Sequence, residues 1–205
     1  MKSRSASSVP RIAQALVPRE MMSWALVSVA LAAVEGGVVG ILVKNLYQDV
    51  AAPLWVNVAV AMVSGAPAFA HILSFAFAVY AQGRDKVRLL TRLLALFSAS
   101  VALIALAPLS APGLVVLAFG MVLARVFWAA TITVRSAVWR ANFPRQVRAR
   151  ITGQMTTLSS SVIAVTSLAL GYLLNISPSS AELAAGTATT RPFRWTWLIT
   201  APAGM

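Results

Sequence analysis

Long apolar runs, separated by short clusters of basic and turn-forming residues, dominate the chain. A helix needs roughly 20 apolar residues to cross about 30 Å of hydrocarbon. Five runs reach that length, over residues 22–46, 54–80, 89–107, 113–138 and 152–174. A sixth opens at Phe193 and extends to Met205, where its helical rise of about 20 Å falls short of a full crossing. The predicted architecture is therefore all-α: a polytopic membrane helical bundle with five complete transmembrane helices plus a partial sixth. Residues 1–20, rich in Ser and Arg, are expected to form an N-terminal tail, and residues 21–205 one transmembrane domain. The Ser-, Ala- and Thr-rich stretch 177–191 is expected to be an external loop. The first run is too long for a cleaved signal peptide, contains Glu35, and lacks a small-x-small site after a short apolar core.

The basic residues between the runs predict the orientation. Lys2, Arg4, Arg11 and Arg19 precede the first run; Arg84, Lys86, Arg88 and Arg92 cluster around the second-to-third loop; Arg140, Arg145, Arg148 and Arg150 follow the fourth run. These three regions fall on one side of the predicted topology. The other side has only Lys44, Arg191 and Arg194 near its span ends. The excess places the N-terminus and both basic loops in the cytoplasm of a plasma (inner) membrane protein. Trp24, Tyr47, Trp55, Tyr80, Trp139, Tyr172 and Trp195 stand at predicted span ends, where amphipathic rings are favoured.

Composition sharpens the class. Of 205 residues, 59% are hydrophobic and 11% charged, against about 25% charged in a typical soluble domain. The formal net charge of +12 would point to nucleic acid in a soluble chain. Here the basic clusters at run ends point to anionic lipid instead, and no nucleic-acid partner is expected. With no Cys and one His, disulfides, thiolate chemistry and His- or Cys-clustered metal sites drop out. Neither a His-Glu metal motif nor a nucleophile elbow occurs. No enzymatic activity, cofactor or metal is expected.

The informative polar residues are those that lipid should reject. Glu35 lies mid-way along the first run and Arg125 mid-way along the fourth, where an ionised side chain costs about 2.5–3.5 kcal/mol or more. Opposite signs at one depth point to an ion pair or a shared aqueous cavity. The alternative has Arg125 anchoring helix packing through backbone carbonyls and Glu35 held neutral by burial. His71, in the second run, is either a proton relay or ligand contact or a hydrogen-bonded packing residue. Arg135, about 15 Å beyond Arg125 along the helix, is expected to snorkel to the interface. Gly36 and Gly40 form a GxxxG spacing suited to close helix packing. Ser159, Ser160, Ser161, Thr166 and Ser167 give the fifth run hydroxyls that either line a cavity or seal an interface.

The fourth-to-fifth region resembles the N-terminal half of a major facilitator superfamily transporter. In that family an Arg mid-way along the fourth helix precedes a Phe-Pro at its end, an Arg in the next loop and a Gly opening the fifth helix. Arg125, Phe143-Pro144, Arg148 and Gly153 stand at matching intervals. The second-to-third loop, Tyr80-Ala81-Gln82-Gly83-Arg84-Asp85-Lys86-Val87-Arg88, is similar to the family's loop at Asp85 and Lys86. It departs at Ala81 and Arg88, where the family has Gly, and Ala129 replaces the Gly usual four residues after the fourth-helix Arg. The fifth helix lacks the Gly-Pro motif of drug–proton antiporters.

This resemblance covers about residues 19–205, roughly half a transporter. It implies alternating access between two six-helix halves, with substrate near the midplane and the first and fourth helices lining the cavity. It makes Arg125, Glu35 and His71 candidates for the path of a small solute or coupling proton. It makes Asp85, Lys86, Arg88 and Arg148 candidates for a cytoplasmic gate, and Gly153 one for helix packing. The expected partners are the lipid bilayer, an unidentified solute and a C-terminal six-helix half. The competing expectation is a non-transporting helical membrane subunit or scaffold that binds partner helices.

Overall fold

The computed structural model describes residues 11–143 and 145–175. They form α1 (Arg11–Ala33), α2 (Gly36–Tyr47), α3 (Pro53–Tyr80), α4 (Lys86–Ala105), α5 (Ala111–Asn142) and α6 (Arg145–Asn175), with no strand among the described residues. By length and composition, α3, α4, α5 and 147–172 of α6 could each cross a membrane. The first ten residues, the expected loop over 177–191 and the partial span from Phe193 lie outside the described residues.

The first predicted span does not run as one helix. It stops at Ala33 and restarts at Gly36, with Glu35 extended at φ −71°, ψ 128°. Consecutive glycines follow Glu35, and glycine disfavours a continuous helix by about 1 kcal/mol relative to alanine. The other boundaries have local causes. Pro53 occupies the first turn of α3, where a missing N–H is harmless. Asp85 caps α4 by accepting from Val87 N at 3.0 Å and Arg88 N at 3.2 Å. Ser110 caps α5 by accepting from Gly113 N at 3.3 Å. Phe143 is extended at the end of α5, as expected before a proline, which disfavours the α region in its predecessor.

Helix α5 occupies the centre. Its most apolar window is 61% buried, against 11% for that of α6. α3 and α4 pack along α5, α1 packs against α6, and α2 against α3. On α3 the buried residues Val56, Ala59, Val63, Ala66 and Ala70 recur every three or four positions, one helical stripe. Phe69, Ile72 and Phe75 point away from the bundle and are exposed. A contiguous apolar surface of this kind suits hydrocarbon rather than water. The four apolar helices fit a membrane protein.

Close approach depends on different glycines from those the sequence pattern picks out. A Cβ at Gly120 would lie 2.9 Å from Ile104 Cγ1, and one at Gly113 would overlap Pro108 O. At Gly40 the nearest atom, Val60 Cγ1, is at 3.8 Å, an ordinary contact. Gly36 opens α2 at the break. Gly153 is exposed, with nothing within 4 Å of a Cβ built there, so among the described residues it is not a packing position. Gly83, at φ +71°, supplies the left-handed residue of the α3–α4 turn.

Gly120→Val is expected to destabilise the detergent-solubilised protein by about 1–3 kcal/mol through overpacking of α4 on α5. Gly153→Ala should leave stability unchanged or slightly raised. Thermal unfolding followed by circular dichroism checks the pair, and equal losses would contradict the contrast.

Candidate functional site

The break between α1 and α2 and the middle of α5 meet at Arg125. Its side chain is 9% exposed, and its Nη2 lies 3.0 Å from Glu35 Oε2. That contact has ion-pair distance without hydrogen-bond alignment. The directed bond goes elsewhere: Arg125 Nε donates to Val34 O at 3.0 Å. A continuous helix would engage the Val34 carbonyl internally; the interruption frees it as an acceptor. One guanidinium therefore takes a carbonyl and a carboxylate from adjacent residues of the same break.

Exposure differs across the pair. The Glu35 side chain is 44% exposed while Arg125 is buried. The carboxylate is thus open on one side, with the buried guanidinium on the other. Next to the pair in sequence, Val34 and Val39 at the break and Met121, Ala124 and Trp128 on α5 are all buried. They leave the pair in surroundings where charge interactions are stronger than in bulk water.

The other sequence-selected residues separate from this site. His71 lies on the exposed side of α3, and its ring makes no hydrogen bond or ion pair among the described residues; its carbonyl accepts from Ser74. Asp85 is the α4 cap and pairs with Arg88 at 3.3 Å, both well exposed. Lys86 is exposed at the start of α4. Arg148 Nη2 donates to Arg140 O at 2.8 Å and Phe143 O at 2.9 Å, closing the last carbonyls of α5 from the next helix. Of the α6 hydroxyls, Ser159 is buried and shares a 2.7 Å hydrogen bond with Ser28. Ser160 and Ser161 are exposed.

Arg135 does not snorkel. It is 4% exposed, pairs with Glu20, and places its guanidinium 4.2 Å from the Trp24 ring centroid and 5.2 Å from that of Trp139. Trp139 Nε1 also reaches Glu20 Oε2 at 3.4 Å. Trp24 in turn stacks near Trp128 at 5.4 Å between centroids. An Arg with an acidic partner and two aromatic faces is stabilised inside, which removes the drive to reach an interface. Tyr47 is also fully buried, its hydroxyl donating to Pro108 O at 3.1 Å. Trp24 and Tyr47 are therefore core residues, whereas Trp55, Tyr80 and Tyr172 are exposed as interfacial rings would be.

Sequence reading missed this second cluster because Glu20 falls in the predicted tail, 115 positions from Arg135. The available signal was the Glu20-x-x-x-Trp24 spacing, which puts acid and ring on one helical face. The break carried a clearer one, a carboxylate followed by two glycines. Comparison of the chain with protein-family models, curated proteins and solved structures finds no significant match.

The Glu20–Arg135 pair predicts a non-additive cycle. Glu20→Ala should cost about 3–5 kcal/mol by stranding a buried cation, and adding Arg135→Met should recover much of the loss. Denaturant unfolding of the two single variants and the double variant in micelles measures it. Additive losses would show that the pair is not coupled.

Proposed function

We propose that the chain is the N-terminal half of a secondary transporter of the major facilitator type, moving a small solute by alternating access. The observation that carries this reading is the Arg125–Glu35 pair at the interruption of the first apolar segment. Transporters commonly build midplane sites from discontinuous helices, where unwound carbonyls and half-helix ends face the solute or coupling ion. Here the freed Val34 carbonyl, the half-exposed Glu35 carboxylate and the start of α2 lie together, with Arg125 behind them. In this reading Arg125 holds Glu35 in place at the break, and a solute competes for the carboxylate from its exposed side. The chain's resemblance to the family at Arg125, Phe143-Pro144, Arg148 and Gly153 supports the same assignment.

The rest of the site follows from that reading. The exposed Asp85–Arg88 pair and Lys86 belong to the cytoplasmic gate, where Asp85 doubles as a helix cap. Arg148 ties the start of α6 to the last carbonyls of α5. The N-terminus lies in the cytoplasm of an inner membrane, and a C-terminal six-helix half completes the cavity. A second reading, a non-transporting subunit that binds partner helices, is favoured by one observation: α6 leaves Thr156, Thr157, Ser160 and Ser161 exposed, a hydroxyl-rich face suited to interhelical hydrogen bonds.

Arg125→Ala in the complete gene product should abolish uptake across a panel of radiolabelled solutes, while membrane insertion stays at the parental level. Glu35→Gln, which removes the charge opposite Arg125 while keeping the side chain's shape, should lower uptake by about tenfold or more. Uptake unaffected by Arg125→Ala would remove the pair from transport. No uptake by the parent, together with stable co-purification of one helical partner, would favour the subunit reading.

A further inference from the structure

A groove of about 480 Å³ opens between the end of α3, the α3–α4 turn and the last turns of α5. It is separate from the Arg125 pair and from the Glu20–Arg135 cluster, neither of which lines it. Two cations line it from different helices: Lys86 at the start of α4 and Arg140 near the end of α5. Both side chains are exposed, and neither has an acidic partner among the described residues. The nearest carboxylate in sequence, Asp85, is not among the lining residues and is occupied by two backbone N–H groups and Arg88.

The remaining polar lining can share in binding an anion. Gln82 offers an amide N–H₂. The Ser136 hydroxyl donates to Thr133 O at 2.8 Å and is free to rotate toward a stronger acceptor. Gly83, without a side chain, leaves the mouth open at the turn. Beside the groove, α3 presents Phe75 and Val79 to the outside, 75% and 51% exposed. A polar pocket with two unpaired cations next to a long apolar helix face matches an amphiphile with an anionic head.

We propose that this groove binds a phosphate group, carried by an anionic phospholipid whose acyl chains lie along the exposed face of α3. Lys86 and Arg140 contact the phosphate, and the Gln82 amide completes the cradle. Basic pockets between helices at the membrane surface are suited to such headgroups. The proposal requires only that the helices sit in a bilayer; because Lys86 also stands in the proposed gate, lipid retention rather than uptake is its readout.

The test uses the detergent-solubilised full chain and native mass spectrometry with phosphatidylglycerol and phosphatidylcholine as probes. The parent should retain phosphatidylglycerol preferentially, and K86Q/R140Q should weaken that retention by roughly tenfold or more. R92Q/R150Q removes the same charge from exposed positions outside the groove and should retain the lipid as the parent does. Ala137→Trp, which fills the groove without altering charge, should also lose it, with an unchanged circular dichroism spectrum. Inorganic phosphate alone serves as the second arm. Thermal stabilisation by phosphate that depends on Lys86 and Arg140, without any lipid preference, would keep the anion site and overturn its lipid occupant. Equal retention by all variants, or equal loss in K86Q/R140Q and R92Q/R150Q, would overturn the site itself.

Discussion

Arg125 joins the central helix α5 to the break between α1 and α2, and the placing of the first segment depends on that contact. A buried guanidinium needs acceptors, and lipid offers none. The break after Ala33 supplies two, the Val34 carbonyl and the Glu35 carboxylate. The dependence is mutual: without Arg125 the freed carbonyl would lack its side-chain partner, and without the break Arg125 would lose the carbonyl. This mutual satisfaction makes a discontinuity in the first segment tolerable inside the bundle.

The second buried cation is handled differently. Arg135 takes one carboxylate from Glu20 and two aromatic faces from Trp24 and Trp139. Its partners cross from α1 to α5, so it fixes how those helices sit near one end of the bundle. Arg125 fixes the break further along. Two cations on one helix, ten positions apart in sequence, thus pin the first segment at two heights. The Glu35 carboxylate is 44% exposed and that of Glu20 33%, so neither anion is sealed as its Arg is. The two pairs differ at the backbone: the first segment is interrupted at Glu35 and continuous at Glu20.

Several motif residues turn out to have local structural duties. Asp85 caps α4 and Arg148 closes the carbonyl end of α5. These duties show that a motif's residue types can be demanded by helix ends alone. Gly153 illustrates the opposite case, a motif position around which the described residues leave open space.

The sequence by itself determined the elements: α3, α4, α5 and α6 begin and end within a few residues of the predicted runs, apart from the start of α6 seven residues early. Hydropathy, Pro53, the Asp85 and Ser110 caps and the Phe143-Pro144 step are local signals, and local signals suffice for helices whose backbone bonds close within a few residues. Tertiary structure decided which polar side chains are paired. Arg125 and Arg135 look alike in sequence, but their partners lie 91 and 115 positions away. Whether a charge snorkels or stays inside depends on what another helix brings to it. The break at Glu35 stands between these cases: the Glu-Gly-Gly run makes it locally affordable, and Arg125 on a distant helix gives its freed carbonyl a partner.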